Sequence, residues 1–144
     1  MKHRIHPIPR AAALLAAALC LTLAACGAPA GADAAAGPPD LTGEWVQAGS
    51  EDASTYQTAT ITQDSITVRW VSGDGAALFW AGSFVPPQDA ATPYSWDSVR
   101  DSSQTEPSAL APAEDSKTFT YEDGYLHYTV SAMGVSTTVW LERP

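Results

Sequence analysis

Lys117-Thr118-Phe119-Thr120-Tyr121-Glu122-Asp123-Gly124-Tyr125-Leu126-His127-Tyr128-Thr129-Val130 alternates large apolar and polar side chains on both sides of an Asp-Gly pair. Asp-Gly is a favoured dipeptide of the two-residue type I′ hairpin, in which both central residues take positive φ. A turn centred there pairs Glu122 with Tyr125, Tyr121 with Leu126 and Phe119 with Tyr128. One face then holds Phe119, Tyr121, Leu126 and Tyr128. The other holds Thr118, Thr120, Glu122, Tyr125, His127 and Thr129. A slip of one residue would invert every side chain, so this segregation specifies the register.

The same reading extends outward in both directions. Met133-Gly134 as a second two-residue loop sets Val130 against Thr137 and Tyr128 against Val139, adding Val130, Ala132, Val135, Val139 and Leu141 to the apolar face. Gln63-Asp64 sets Ile61 against Ile66 and Ala59 against Val68, with Thr58, Thr60, Thr67 and Arg69 outside. Ser72-Gly73-Asp74-Gly75 then brings Phe79 beside Val68. Period-2 segments bounded by turn residues recur from Leu41 onward. They predict strands near Leu41–Gln47, Gln57–Thr62, Ser65–Val71, Ala77–Val85, Tyr94–Arg100, Lys117–Glu122, Tyr125–Ala132 and Val135–Glu142.

Eight short strands in sequence-local pairing predict an all-β, antiparallel meander closed into a small barrel. An open sheet or a two-sheet sandwich is the alternative. At Leu41-Thr42-Gly43-Glu44-Trp45 the domain resembles the opening strand of the calycins, the lipocalin and avidin group. That resemblance implies that a basic residue near the last strand, here Arg143, packs over Trp45 beside Gly43 as a clasp.

The front of the chain reads differently. Lys2, Arg4 and Arg10 precede an apolar run, Ala11 to Ala25, that is too short to span a bilayer. The run ends in Leu23-Ala24-Ala25-Cys26, which resembles the lipobox of bacterial prolipoproteins. The resemblance implies cleavage between Ala25 and Cys26 and a thioether-linked diacylglycerol on Cys26. Three segments follow: 1–25 a signal peptide, 26–40 a lipidated Cys with a flexible tether, and 41–144 the β domain. Fourteen small or Pro residues, Gly27 to Asp40, would span about 20 Å as a flexible coil. The expected location is the outer face of the cell membrane, lipid-anchored and extracytoplasmic. The stretch Leu78 to Phe84 and the segment from Thr118 to Leu141 also resemble small lipoproteins of Gram-positive bacteria and their phages, a likeness that implies an envelope location and no activity.

Charge narrows the partners. The full chain carries 7 basic and 16 acidic residues. Removal of the leader takes three of the basic ones and leaves Arg69, Arg100, Lys117 and Arg143 against 16 acids, a net −12. Such a surface is repelled by phosphate backbones, so no nucleic-acid partner is expected. The only cysteine past the leader is Cys26, so neither a disulfide nor a Cys-based metal site is expected. His127 is the lone histidine of the domain and lies on the polar face. Glu51-Asp52, Glu114-Asp115 and Glu122-Asp123 are adjacent pairs whose side chains diverge on a strand. No nucleophile-elbow sequence and no Asp-x-Asp calcium loop occurs. The expectation is therefore a binding or interaction module, not an enzyme, without cofactor or metal.

One feature resists a bland account. The register that buries Phe79 turns Leu78, Trp80 and Phe84 outward, and the neighbouring hairpin turns Tyr125, His127 and Trp140 outward. Either a segment such as Pro86–Pro93 or Asp101–Ser116 covers these side chains, or they form a partner surface. The alternative class is a carrier enclosing a small apolar ligand among Trp70, Trp96, Phe79 and Tyr128. The long Ser/Pro/acid loop Asp101–Ser116 would then lid the barrel mouth or remain mobile.

Overall fold

The computed structural model describes residues 36–144. The leader, Cys26 and most of the tether lie outside the described residues. The eight strands are β1 (Gly43–Gln47), β2 (Tyr56–Ile61), β3 (Ser65–Ser72), β4 (Gly75–Ser83), β5 (Tyr94–Val99), β6 (Ser116–Glu122), β7 (Tyr125–Ala132) and β8 (Val135–Glu142). A four-residue helix, α1 (Ser102–Thr105), interrupts the β5–β6 connection. All strands belong to one antiparallel sheet in the order β4-β3-β2-β1-β8-β7-β6-β5. The first and last strands in the chain, β1 and β8, pair in the middle of that order through Val46↔Glu142 and Gln47↔Leu141.

The turns act as the residues demand. Asp123 and Gly124 take φ of 50° and 87°, and Met133 and Gly134 take 53° and 77°, so both loops have the positive φ of type I′ turns. Phe119↔Tyr128, Tyr121↔Leu126, Val130↔Thr137 and Tyr128↔Val139 are all paired. Ile61↔Ile66 and Ala59↔Val68 are paired as well.

On β4 the register departs from expectation. From the Gly73-Asp74 turn the ladder runs regularly to Arg69↔Leu78, but the next pair is Val68↔Trp80. Phe79 is the extra residue of a β-bulge. A bulge switches the alternation of the strand beyond it. Phe79 therefore points inward, and so do Trp80, Gly82 and Phe84. Trp80 is 0% exposed and Phe84 4%. Their expected outward orientation is corrected by this single inserted residue. Leu78 does stay on the outer side, half-buried, where Ser108 donates from Oγ to its carbonyl at 2.5 Å. Ala81 lies beneath the same segment, whose first residue donates from the Asp101 amide to the Ala81 carbonyl at 2.8 Å. Of the two candidate covers for Leu78, Asp101–Ser116 provides it.

The bulge also lets the sheet nearly close. The outermost strands of the order, β4 and β5, meet at one bridge, Gly82↔Arg100. Side chains complete the seam: the Val99 amide donates to Ser83 Oγ at 2.9 Å, and Trp80 Nε1 donates to Ser98 Oγ at 2.9 Å. Asp101 caps α1 by accepting from the Ser103 amide at 3.1 Å. The Ser103 hydroxyl, with Gln104, holds the Asp101 carboxyl below its usual range.

Inside, aromatic rings fill the barrel. Trp96 stacks on Phe119 at 5.4 Å, Phe119 meets Tyr128 at 4.9 Å, and Phe84 meets Trp96 edge-on at 5.0 Å. Trp45, Leu41, Ile61, Leu126 and Leu141 close the core below them. Burial of this kind is the main favourable term in the fold.

Candidate functional site

Antiparallel register gives the barrel two distinct poles. The first strand enters at the pole that holds Asp40, the Asp123-Gly124 turn and Arg143. The opposite pole holds the Gly73-Asp74 and Met133-Gly134 turns and the β1–β2 connection.

At the Arg143 pole the structure brings Gly43, Trp45 and Arg143 together. The guanidinium carbon lies 4.3 Å from the centroid of the Trp45 ring. Its nitrogens donate to the carbonyls of Thr42 at 2.6 Å and Asp40 at 2.8 Å. Trp45 Nε1 donates to the Leu41 carbonyl at 3.0 Å, so the indole is fixed from both sides. Gly43 sits at φ 108°, and a Cβ there would meet Arg143 Nη1 at 2.9 Å. The arrangement pins the incoming chain to the floor of the barrel.

At the Met133 pole the barrel opens. β1 ends at Gln47, whereas β7 and β8 run on together to Ala132↔Val135. The projecting hairpin presents Val130, Ala132, Val135, Thr137 and Val139 on its inner side. With Gln47, Gln57 and Trp70 these residues line an open cup of about 270 Å³. The lining is mostly apolar and contains no ionisable group.

The cup floor carries an unusual polar pair. Gln57 is 0% exposed. Its Oε1 accepts a hydrogen bond from the Tyr128 hydroxyl, and its backbone amide donates to Gln47 Oε1 at 2.8 Å. Its side-chain nitrogen has no partner. An unpaired buried amide costs about 1–3 kcal/mol, and among the described residues this nitrogen shares its unpaired, buried state with Trp96 Nε1. Burial pushes the Tyr128 phenol well above its ordinary value, so it stays protonated and remains a donor.

That pair yields a stability prediction. The raised phenol favours folding below the ordinary tyrosine value of 10.0 and loses that contribution as pH rises beyond it. Denaturant unfolding at pH 7 to 11 should show a steep alkaline loss in the native protein. Tyr128→Phe should flatten part of that loss, while costing about 0.5–1.5 kcal/mol at neutral pH. The remaining slope belongs to Tyr94, which burial raises in the same direction. An alkaline profile unchanged by the substitution would refute the assignment.

The residues expected to enclose a ligand are divided by the structure. Phe79, Trp96 and Tyr128 are stacked in the solid core, and only Trp70 reaches the cup. The residues expected to form a partner surface are divided too. Trp80 and Phe84 are interior and Leu78 is covered, whereas Tyr125, His127 and Trp140 gather on the outer face of β7 and β8. Trp140 is 40% and Tyr125 38% exposed. The His127 ring lies 4.2 Å from the Trp140 ring, and His127 Nε2 is 3.1 Å from Glu122 Oε1.

Two site features escape sequence reading. For Gln57, the alternation that turns Ala59 and Ile61 inward signals an inward position but not its partner Tyr128, 71 residues away. Lys117 is the other: only 6% exposed, it points inward and donates from Nζ to Glu114 Oε2 at 2.7 Å and the Thr129 carbonyl at 3.1 Å. Its ammonium lies 5.7 Å from the Phe79 ring and 5.6 Å from the Trp80 ring, as a cation over aromatic faces. The alternation of β6 signals an inward position 117, but not the carboxylate that completes it. Among the described residues, no three His, Cys, Asp or Glu side chains gather as metal ligands. No family model, curated protein or solved structure matches the chain.

Proposed function

We propose that this protein is a lipid-anchored, extracytoplasmic binding lipoprotein, held to the membrane through Cys26, that takes a small neutral ligand in the cup at the Met133 pole. The supporting observation is the placement of the cup. The tether joins the barrel at Asp40, where Arg143 grips it, and the apolar mouth opens at the opposite pole. The attachment of the tether and the mouth thus lie at opposite poles of the barrel, and a flexible tether leaves the mouth free for a ligand. Two acyl chains on Cys26 suffice for stable anchoring.

The chemistry of the lining selects the ligand. Apolar walls without an ionisable group favour an uncharged body. Gln47 and Thr137 in the lining favour one carrying a hydrogen-bonding group, such as a carbonyl. A volume of about 270 Å³ suits a compact molecule or one end of a longer one. The solid aromatic core beneath limits the ligand to the mouth, a shallower seat than a carrier enclosing its cargo would provide.

Anchor and cup are tested separately. In the native host, Cys26→Ser should abolish incorporation of labelled palmitate, and label retained by that variant refutes the anchor. For the cup, the neutral carbonyl dye prodan is titrated into the lipidated protein in detergent-free nanodiscs. A saturable blue shift is expected. Ala132→Trp, which fills the mouth from an exposed strand position, should weaken it at least tenfold. Equal binding by that variant, or no shift in the native protein beyond that of empty nanodiscs, refutes the cup.

A further inference from the structure

The outer face of β6–β8 carries a second surface, remote from the cup floor and built on different chemistry. Successive outward residues stand in cross-strand rows. One row holds Thr120, His127 and Trp140. The next holds Glu122 paired with Tyr125, and the Leu126↔Leu141 pairing places Glu142 on the other side of Tyr125. Two carboxylates thus flank the exposed aromatic group, each about 5 Å away by strand spacing.

The rings are arranged as walls. Tyr125 meets Trp140 at an interplanar angle of 84° with centroids 6.2 Å apart. His127 supports Trp140 from the next strand, tilted 34° to it. Among the described residues no lysine or arginine occupies the corner, and the one basic side chain at its edge is His127, with Nε2 3.1 Å from Glu122 Oε1. Among the described residues, Lys117 is inside the barrel, Arg143 is on Trp45 and Arg100 is beside Asp115 at 3.9 Å. Arg69 stands outward on β3 in the same cross-strand row, but Thr58 and Val46 lie between it and Glu142.

We propose that this face docks an arginine side chain presented by a partner protein, the guanidinium stacking on Trp140 with its edge toward Tyr125 and pairing with Glu142 and Glu122. Charge complementarity selects the cation, because the surface is acidic and no lysine or arginine among the described residues reaches Glu142. Planarity selects arginine over lysine: a guanidinium stacks on an aromatic ring and grips a carboxylate through two N–H groups at once. The open sheet face selects a side chain held by a larger partner over a free small molecule, since a corner of two rings on an open face buries too little of a small ligand. This site is independent of both the anchor and the cup.

The test uses amide-resolved NMR on the full mature chain, with the probe peptide acetyl-Gly-Arg-Gly-Arg-Gly-amide and its lysine counterpart. Shift changes are expected to concentrate at Tyr125, His127, Trp140 and Glu142, with tighter binding of the arginine peptide. Trp140→Ala should weaken that binding roughly 2- to 30-fold, the range a cation–π contact supplies. Glu142→Gln should weaken it comparably, and a paired Asp64→Asn, Asp74→Asn control should leave it unchanged. Because Trp140 and Glu142 are both exposed, the two variants guard against loss of fold in either. Changes spread evenly over the acidic surface, equal affinity for the lysine peptide, or binding unaffected by both variants would overturn the proposal.

Discussion

Trp80→Ala is expected to destabilise the fold by about 3–5 kcal/mol, as loss of a large buried aromatic does. For a domain of this size that lowers Tm on the order of 15–30 °C. Three losses combine. The indole is fully buried, so its removal leaves a cavity between β3, β4 and β5. Ser98 Oγ loses the indole N–H it accepts at 2.9 Å. The Lys117 ammonium loses an aromatic face at 5.6 Å and keeps its burial. The comparison with Trp140→Ala makes the result diagnostic. Without the bulge at Phe79, Trp80 would face solvent like Trp140, and the two substitutions would cost about the same. Thermal unfolding by circular dichroism decides between them. A Tm drop of only a few degrees for Trp80→Ala would place the side chain outside and remove the bulge.

The second large effect comes from one methyl group at the seam. A Cβ on Gly82 would lie 2.4 Å from Ser98 Oγ, 2.5 Å from the Val99 carbonyl oxygen and 2.8 Å from Trp80 Nε1. Two of these neighbours are held by the hydrogen bond that closes β4 onto β5, and the third is backbone. Gly82→Ala is therefore expected to cost about 1–3 kcal/mol through overpacking. The damage should be local first. The amides of Val99 and Asp101, which donate across the seam to Ser83 Oγ and the Ala81 carbonyl, should lose hydrogen-exchange protection ahead of the β6–β8 amides. Adding Ser98→Ala should rescue little, because the Val99 carbonyl still blocks the methyl and Trp80 Nε1 loses its acceptor. Native protection at both seam amides in Gly82→Ala would mean that β4 and β5 stand further apart than the bridge requires.

Both expectations concern β4, and β4 is where local reading of the chain fails. Asp123-Gly124 and Met133-Gly134 announce their hairpins because their backbone needs are local: positive φ at two positions, then strict alternation. From those turns the pairings of β6, β7 and β8 are legible, residue by residue. The Gly73-Asp74 turn is equally legible as far as Leu78. Beyond it, Leu78-Phe79-Trp80 reads as a strand apolar on both faces, a symptom without a remedy in the local pattern. Where the extra residue goes depends on what faces it. Gly82, two residues on in β4, and Ser98 on β5 offer the room that admits the Trp80 indole, and Ser98 lies 18 residues away from it.

The aromatic outer face and the cup show the same division. Tyr125, His127 and Trp140 point outward by alternation alone, so their common side is legible. That Glu142 joins them requires the β7–β8 register, which the Met133-Gly134 turn also supplies. The cup has no local signature. It exists because β1 stops at Gln47 while the β7–β8 hairpin continues, leaving the inward face of Gln57 and Trp70 open at that end.

Turn chemistry and period-2 alternation thus determine an all-β meander, most of its pairings and the faces of its hairpins, since each rests on dihedral needs and side-chain direction within a few residues. The bulge at Phe79, the near-closure of β4 on β5, the pairing of Lys117 with Glu114 and the open mouth above Gln57 are settled only by the folded whole. Packing volume and hydrogen-bond completion involve groups that no local stretch of chain contains.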